Sequence, residues 1–504
     1  MSPTRHCPAC GRVSRAQRCP HCGADLHNSS TTPLWHPTVA GALLADLVRF
    51  EWREHAGLLR FLLRWLVLGS VIGVLAGAAS SIFLYGLMLA TDARADTPQL
   101  LYLLPVGGLA VGLAYHYLGG RSAAGNNLIL EEIHGLAAES PKPATDRRWV
   151  PRRMAPLVLL GTWVTHLFGG SAGREGTAIQ MSGSLADGFA RLIRLGGEDR
   201  RLVLVAAVAG GFGSVFSVPL AGAVFGLEVQ SIGRIRYDAI VPALTASVIG
   251  NLTLHAIDLP HDVTPAYALP EVALSLGLLA KLAVAALAFG LVSVLFAELT
   301  AGIKRAFAVL VAWPPLRPLV GGVAVVLLAL AVGDGAYLGL SLGLIEAALT
   351  GAELVWYAFA LKLLFTAVTL GAGFQGGEVT PLFVIGATLG AALAVPLGVP
   401  VELLASVGFV AVFAAATNTP LACTIMGLEL FGAEALPYLA VGCVVAYVFS
   451  SHRGIYGAQR VATPKAPRTA EALDGRSLDE LAEVRRSWLP PMFRRDAPHR
   501  DDPD

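Results

Sequence analysis

Pro219-Leu220-Ala221-Gly222-Ala223-Val224-Phe225-Gly226-Leu227-Glu228-Val229 recurs 201 residues later as Pro420-Leu421-Ala422-Cys423-Thr424-Ile425-Met426-Gly427-Leu428-Glu429-Leu430. Each copy opens on a proline, which suits a first helical turn because the amide hydrogen it lacks would have no partner there. Each also closes on a carboxylate inside an apolar run. A second pair of blocks keeps the same order at an offset of 203: Gly173-Arg174-Glu175-Gly176-Thr177 against Gly376-Gly377-Glu378-Val379-Thr380, with Gly183 falling on Gly386. Pro105-Val106-Gly107-Gly108 and Val320-Gly321-Gly322 form a third, weaker pair. Blocks repeating in order at nearly one offset imply a duplicated domain, with halves at about 66–255 and 271–450.

That domain lies in a membrane. Of 504 residues, 55% are hydrophobic and 14% charged, with a mean hydropathy of +0.62; an average soluble domain is roughly a quarter charged. Trp65 to Ala90 is long enough to span a bilayer, as is Val272 to Phe296 with Lys281 as its only charge. Many other apolar runs are cut by the 55 glycines and 30 prolines. Breaks at membrane depth survive only where protein or water covers the backbone, which favours a transporter or channel over an anchor. The net charge of +1 is uninformative about partners, and no nucleic acid is expected among them. Short basic loops at Arg147, Arg148, Arg152 and Arg153, and at Arg234 and Arg236, point to the cytoplasm. No signal peptide precedes the first apolar run, so both termini are expected to be cytoplasmic.

The informative breaks carry polar groups. Glu175 follows Gly169-Gly170-Ser171-Ala172-Gly173-Arg174, and an ionisable residue at membrane depth is a candidate for an ion or proton route. Duplicated transporters bring corresponding broken helices together around the ion, so the Glu175 and Glu378 breaks are expected to face one another. The alternative is packing glycines in two unrelated helix pairs. Gly125-Asn126-Asn127 restarts a helix whose free amides can hold an anion, or is an ordinary capped loop. Further breaks are read at Gly210 to Pro219 and at Ala414 to Pro420.

Ahead of the membrane domain, Cys7-Pro8-Ala9-Cys10 and Cys19-Pro20-His21-Cys22 resemble the two knuckles of a zinc ribbon. Four thiolates suit a closed, structural tetrahedral zinc site, so zinc is the expected cofactor, bound by Cys7, Cys10, Cys19 and Cys22. Residues 1–24 form this ribbon and 25–38 a polar linker. An amphipathic surface helix is expected over Val39 to Leu66, leading into a first span from Leu66 to Leu89. The membrane domain extends over 39–457, followed by a charged tail, 458–504, read as largely disordered apart from a short helix near Leu478 to Arg486.

From Leu58 to Gly457 these features resemble the CLC family of chloride channels and anion/proton exchangers. Gly173-Arg174-Glu175-Gly176 matches the family's GREG motif, Phe216 to Glu228 the stretch ending in its paired carboxylates, and Gly376 to Pro381 stands in place of its GxFxP. Tyr456 follows the last membrane helix where the family has an anion-coordinating tyrosine. The resemblance implies an all-α inverted repeat of broken, tilted helices, a homodimer with one pathway per subunit, and a place in the inner membrane of a bacterium. Glu175 would be the proton-linked gate, with Glu378 and Glu228 as further candidates for proton transfer. The anion would meet Gly125, Asn126, Asn127, Gly173, Arg174, Gly176, Thr177, Gly377, Val379, Thr380 and Tyr456, where Arg174 either sets the local potential or pairs with a carboxylate.

Three departures bear on the ion. Ala123-Ala124-Gly125-Asn126-Asn127 replaces GSGIP, with Ala124 at the position of the serine donor. Thr177 replaces a proline, and Gly377-Glu378-Val379-Thr380-Pro381 places a carboxylate and a hydroxyl near the path. Val229 stands where exchangers keep an inner glutamate. This combination is similar to the bacterial CLC branch that exports fluoride in exchange for protons. The alternatives are a chloride/proton antiporter or a passive voltage-gated chloride channel. A sensor using the ribbon to bind a partner is disfavoured by intact Glu175 and Tyr456. An enzyme is not supported, since His134 and His166 lack metal or triad spacing.

Overall fold

The computed structural model describes residues 5–7, 13–14, 17–22, 52–136, 149–260, 270, 272–466, 473 and 475–487. Cys10, the 25–38 linker, Val39 to Glu51 and the end of the tail lie outside these. The chain forms two compact units, 1–63 and 64–504. In the first, β1 (Arg5–His6) pairs antiparallel with β2 (Val13–Ser14). Helix α1, Trp52–Asp96, runs through Leu66 without interruption, so from Trp52 on the expected surface helix and the first span are one element. No proline occurs within it to stop propagation.

The second unit is helical. The first half contains α2 (Leu104–Ala114), α3 (Asn126–Leu136), α4 (Met154–Leu167), α5 (Glu175–Leu192), α6 (Gly197–Phe216), α7 (Pro219–Glu228) and α8 (Ile240–Ile257). After α9 (Leu276–Leu310), the second half supplies α10 (Leu316–Val332), α11 (Leu342–Leu349), α12 (Ala358–Gly371), α13 (Val379–Leu397), α14 (Val401–Thr417), α15 (Pro420–Phe431) and α16 (Leu436–Phe449). Among the described residues five segments are long and apolar enough to cross a membrane: Glu54–Asp96, Pro98–Ala124, Tyr237–Ile257, Leu276–Leu310 and Val379–Leu397.

The halves are related by a two-fold, visible as reciprocal contacts. Glu228 at the end of α7 accepts from the amides of Leu421 (3.1 Å) and Ala422 (2.8 Å) at the start of α15. Glu429 near the end of α15 accepts from Leu220 (2.9 Å) and Ala221 (2.8 Å) at the start of α7. Each carboxylate thus caps the other half's helix, where unpaired amides and the helix dipole favour negative charge. The weak third pair obeys the same symmetry: Gly108 lies against Pro318, and Gly322 against Pro105. Phe212 stacks on Phe225 at 4.2 Å within the first half and Phe383 on Phe409 at 4.1 Å within the second, and Phe216 lies edge-on to Phe383 at 5.2 Å across the two.

Two breaks are shorter than expected. Helix α6 continues through Gly210, Gly211 and Gly213, and only Ser217 (φ 55°) and Val218 leave it. Those glycines serve close helix approach: a Cβ on Gly213 would meet Ser247 Oγ of α8 at 2.0 Å. In the second half, α14 likewise continues to Thr417, leaving Asn418 (φ 58°) and Thr419. Proline causes both stops, because the residue before it is sterically pushed out of the helical region; Val218 and Thr419 have φ of −124° and −126°.

The described parts of the tail, 458–466 and 475–487, fold onto the membrane domain. β4 (Arg460–Val461) pairs parallel with β3 (Ser231–Ile232), and α17 (Leu478–Ser487) packs Leu478 and Leu481 against Ile232 and Val461. Lys465 reaches Asn418 Oδ1 (2.6 Å), Tyr447 O (2.6 Å) and Ser450 Oγ (3.0 Å). Its high charge hides a small apolar face that suffices once a partner surface exists.

Candidate functional site

The Glu175 and Glu378 breaks do meet. Gly173 N donates to Gly377 O at 2.7 Å, and Gly377 N to Gly173 O at 2.8 Å, so the loops before α5 and α13 are locked antiparallel. The structural correspondence is one residue different from the sequence match. Helix α5 starts at Glu175 and α13 at Val379, with Arg174 and Glu378 as the two N-cap residues. Glu378 therefore stands in the place of Arg174, and Val379 in that of Glu175. Matching carboxylate to carboxylate in the sequence hid this, because only helix starts define the frame.

Glu175 is fully buried and its carboxylate occupies the N-terminus of α13. Oε2 accepts from Thr380 Oγ1 (2.9 Å), Thr380 N (3.2 Å) and Arg174 N (3.0 Å), and Oε1 from Val379 N. Amides at a helix start, reinforced by a hydroxyl, form an anion site. Here the protein's own carboxylate is the anion. Nothing larger than glycine fits around it: a Cβ on Gly377 would lie 2.1 Å from Oε1, and one on Gly173 2.9 Å from both oxygens.

The remaining candidates divide into those near this carboxylate and those turned away. Glu378 is half-buried, within electrostatic range of Glu175 and Lys304, and its carboxylate makes no hydrogen bond or ion pair among the described residues. Asn126 starts α3 after Gly125 (φ 61°); its Nδ2 lies 3.2 Å from the position a Gly176 Cβ would take, and its Oδ1 is buried without a partner among the described residues. Tyr456 is buried within electrostatic range of both Glu378 and Glu175. In contrast, Asn127 Oδ1 accepts from Ala458 N (3.1 Å), and Thr177 Oγ1 bonds Thr162 Oγ1 (2.7 Å). The Arg174 guanidinium sits over the Phe216 ring at 5.5 Å. Glu228 is engaged as the cap of α15.

Gln180, visible in the sequence as a polar residue in an apolar segment, is not among the candidate site residues but lies beside the site. One turn along α5, it is buried with Oε1 unpartnered among the described residues, and its amide nitrogen lies 3.4 Å from a Cβ position on Gly125. An uncharged polar residue in an apolar run was its only signal. In the N-terminal unit the sulfurs of Cys7, Cys19 and Cys22 lie within 4.8 Å of one another, with Cys7 and Cys22 at 3.4 Å. Thiolates around tetrahedral zinc, with Zn–S near 2.3 Å, stand roughly 3.8 Å apart, so these three fit a shared metal; Cys10 lies outside the described residues.

Duplicated halves, broken helices meeting inside the membrane region and a carboxylate docked on helix amides define an inverted-repeat transport protein. The chain belongs to the CLC family: the family model described as "Voltage gated chloride channel" matches residues 107–451. A protein of Pseudomonas syringae pv. tomato named chloride/fluoride channel protein is 45% identical over 433 residues, 84% of this chain and 93% of its own length. Among solved structures, a CLC-type fluoride/proton antiporter superimposes with a TM-score of 0.74 at 36% identity, covering 79% of this chain and 98% of that one. A slow cyanobacterial Cl⁻/H⁺ antiporter, at 21% identity and a TM-score of 0.64 over 77% of this chain and 94% of that one, shares the fold.

Proposed function

We propose that this CLC transporter exports fluoride in exchange for protons, with Glu175 as the group through which both ions pass. The observation that carries this reading is the Glu175 carboxylate seated on Val379 N, Thr380 N and Thr380 Oγ1. Ionised, it fills the anion site. A proton taken up from the outside removes its charge and so its attraction to the amides. The neutral side chain leaves, and an anion from the inside takes its place. Return of the carboxylate requires release of that proton to the inside and of the anion to the outside, which ties the two fluxes together.

Fluoride is favoured by the donor set. A small, strongly hydrated ion needs short, strong donors to replace its water, and a hydroxyl beside two amides at a helix start supplies them. Asn126 and Tyr456 are further donors of this site, and Glu378, free of ion pairs among the described residues, is the proton carrier beside it. The names of the 45% identical relative and of the 36% identical structure agree with fluoride. We also infer a homodimer, a bacterial inner-membrane location with cytoplasmic termini, and a structural zinc held by Cys7, Cys10, Cys19 and Cys22.

Proteoliposomes loaded with fluoride or chloride, with external pH recorded, test this. Fluoride efflux accompanied by proton uptake, exceeding chloride efflux, is expected. Efflux without proton movement would support the channel reading, and equal chloride efflux would remove the selectivity. Metal analysis of the protein with and without Cys7→Ser checks the zinc site separately.

A further inference from the structure

Tyr456 leads into a tight turn, Tyr456-Gly457-Ala458-Gln459, closed by Gln459 N donating to Tyr456 O at 3.1 Å. Gln459 is fully buried, and every polar group of its side chain is used. Nε2 donates to Val229 O (2.9 Å), just past α7, and to Thr417 O (3.0 Å), the last residue of α14. Oε1 accepts from Asn418 Nδ2 at 2.9 Å. One carboxamide therefore joins the first half, the second half and the Tyr456 turn. A second strap is Asn127, whose Oδ1 holds Ala458 N at 3.1 Å. The orientation of the Gln459 amide is dictated by its neighbours: two carbonyls require the nitrogen, and Asn418 is itself oriented by donating to Arg453 O (3.1 Å) and accepting from Lys465 Nζ (2.6 Å).

We infer that Gln459 is the positioning residue of the anion site: through the turn it closes, it sets where the Tyr456 hydroxyl stands relative to Glu175 and Thr380. The inference rests on Tyr456 being an anion donor, as proposed above. Tyr456 follows the last membrane helix, α16, so its position depends on contacts made by the turn it opens. A carboxamide bonded to both halves ties the donor to the frame in which α13 presents its amides. A shorter or acceptor-only side chain cannot do this, because two carbonyl oxygens converge on the nitrogen.

The test is a double-mutant cycle on fluoride flux in proteoliposomes, with KM and maximal rate measured separately. Tyr456→Phe, losing one donor to a charged ion, is expected to raise the fluoride KM about tenfold or more. Gln459→Met is expected to raise it by a similar factor with a smaller effect on maximal rate, and to add little in the Tyr456→Phe background. Asn127→Ala cuts the other strap, keeps the amide hub intact, and is expected to behave alike; it stands in if Gln459→Met does not fold. If Tyr456→Phe leaves KM unchanged, the anion-donor reading of Tyr456 falls. If Tyr456→Phe acts but the strap variants leave KM unchanged, or their effects multiply with it, Gln459 is structural only and the inference is overturned.

Discussion

Thr380 Oγ1 donates to Glu175 Oε2 at 2.9 Å, joining residues 205 apart in the chain where α5 of one half and α13 of the other both start. The hydroxyl is the donor here that is not backbone, so it can be removed without disturbing the amides. Thr380→Val keeps the shape. A hydrogen bond to a charged group contributes about 1.5–3 kcal/mol, so the fluoride KM is expected to rise about tenfold or more. Thr380→Ser should retain most of the affinity. Flux against fluoride concentration for the pair measures it, and equal loss in both would locate the effect in packing instead.

Gly377 lies so close to Glu175 that a Cβ would overlap the carboxylate, at 2.1 Å from Oε1 and 2.6 Å from Cδ. Its backbone is not in the left-handed region, so alanine is not strained by its φ, though its Cβ would also lie 2.9 Å from Gly176 N. Gly377→Ala is therefore expected to displace the carboxylate and lower proton coupling, at a folding cost within the about 1–3 kcal/mol typical of overpacking. Proton-to-fluoride ratios in vesicles, with thermal unfolding of the detergent-solubilised protein as control, separate the two effects.

The duplication was legible because two breaks and two Pro-to-Glu blocks survive in order, and it led directly to the meeting of Gly173 with Gly377. What stayed hidden was anything requiring a partner. Glycines at 210, 211 and 213 look alike whether they break a helix or admit a neighbour, and only Ser247 decides for Gly213. Asn126 and Asn127 are indistinguishable in sequence, yet one faces Gly176 and the other Ala458. The tail read as disordered since its net composition is polar, while Gln459 and Lys465 find their acceptors only on the folded membrane domain.

Glu228 caps α15 and Glu429 caps α7, so both carboxylates are held by amides of the opposite half. Glu228→Ala leaves the Leu421 and Ala422 amides without their acceptor, at a cost of about 1–3 kcal/mol. The more exposed exchange at Glu429→Ala should cost less. Neither variant is expected to change the number of protons moved per fluoride. A lower unfolding temperature with unaltered stoichiometry is the expected pattern; altered stoichiometry for Glu228→Ala would return it to the proton route.

His452 gives the docked tail a pH dependence. It lies beyond α16, and its Nε2 accepts from Lys465 N at 3.1 Å, which requires the neutral ring. Burial, then the positive charges of Lys465 and Arg485, push it down to about 4 from an ordinary value near 6.5. A group whose pKa is depressed on folding stabilises fully above its unfolded value, and that contribution is lost as pH falls through the folded one. The His452 contribution to docking of β4 and α17 is therefore expected to be complete above about pH 6.5 and to weaken progressively toward pH 4. Hydrogen exchange of residues 460–466 and 477–487, referenced to α14 at each pH, measures this. His452→Gln, which keeps an acceptor that does not titrate, should flatten the profile; an unchanged profile would place the titrating group elsewhere.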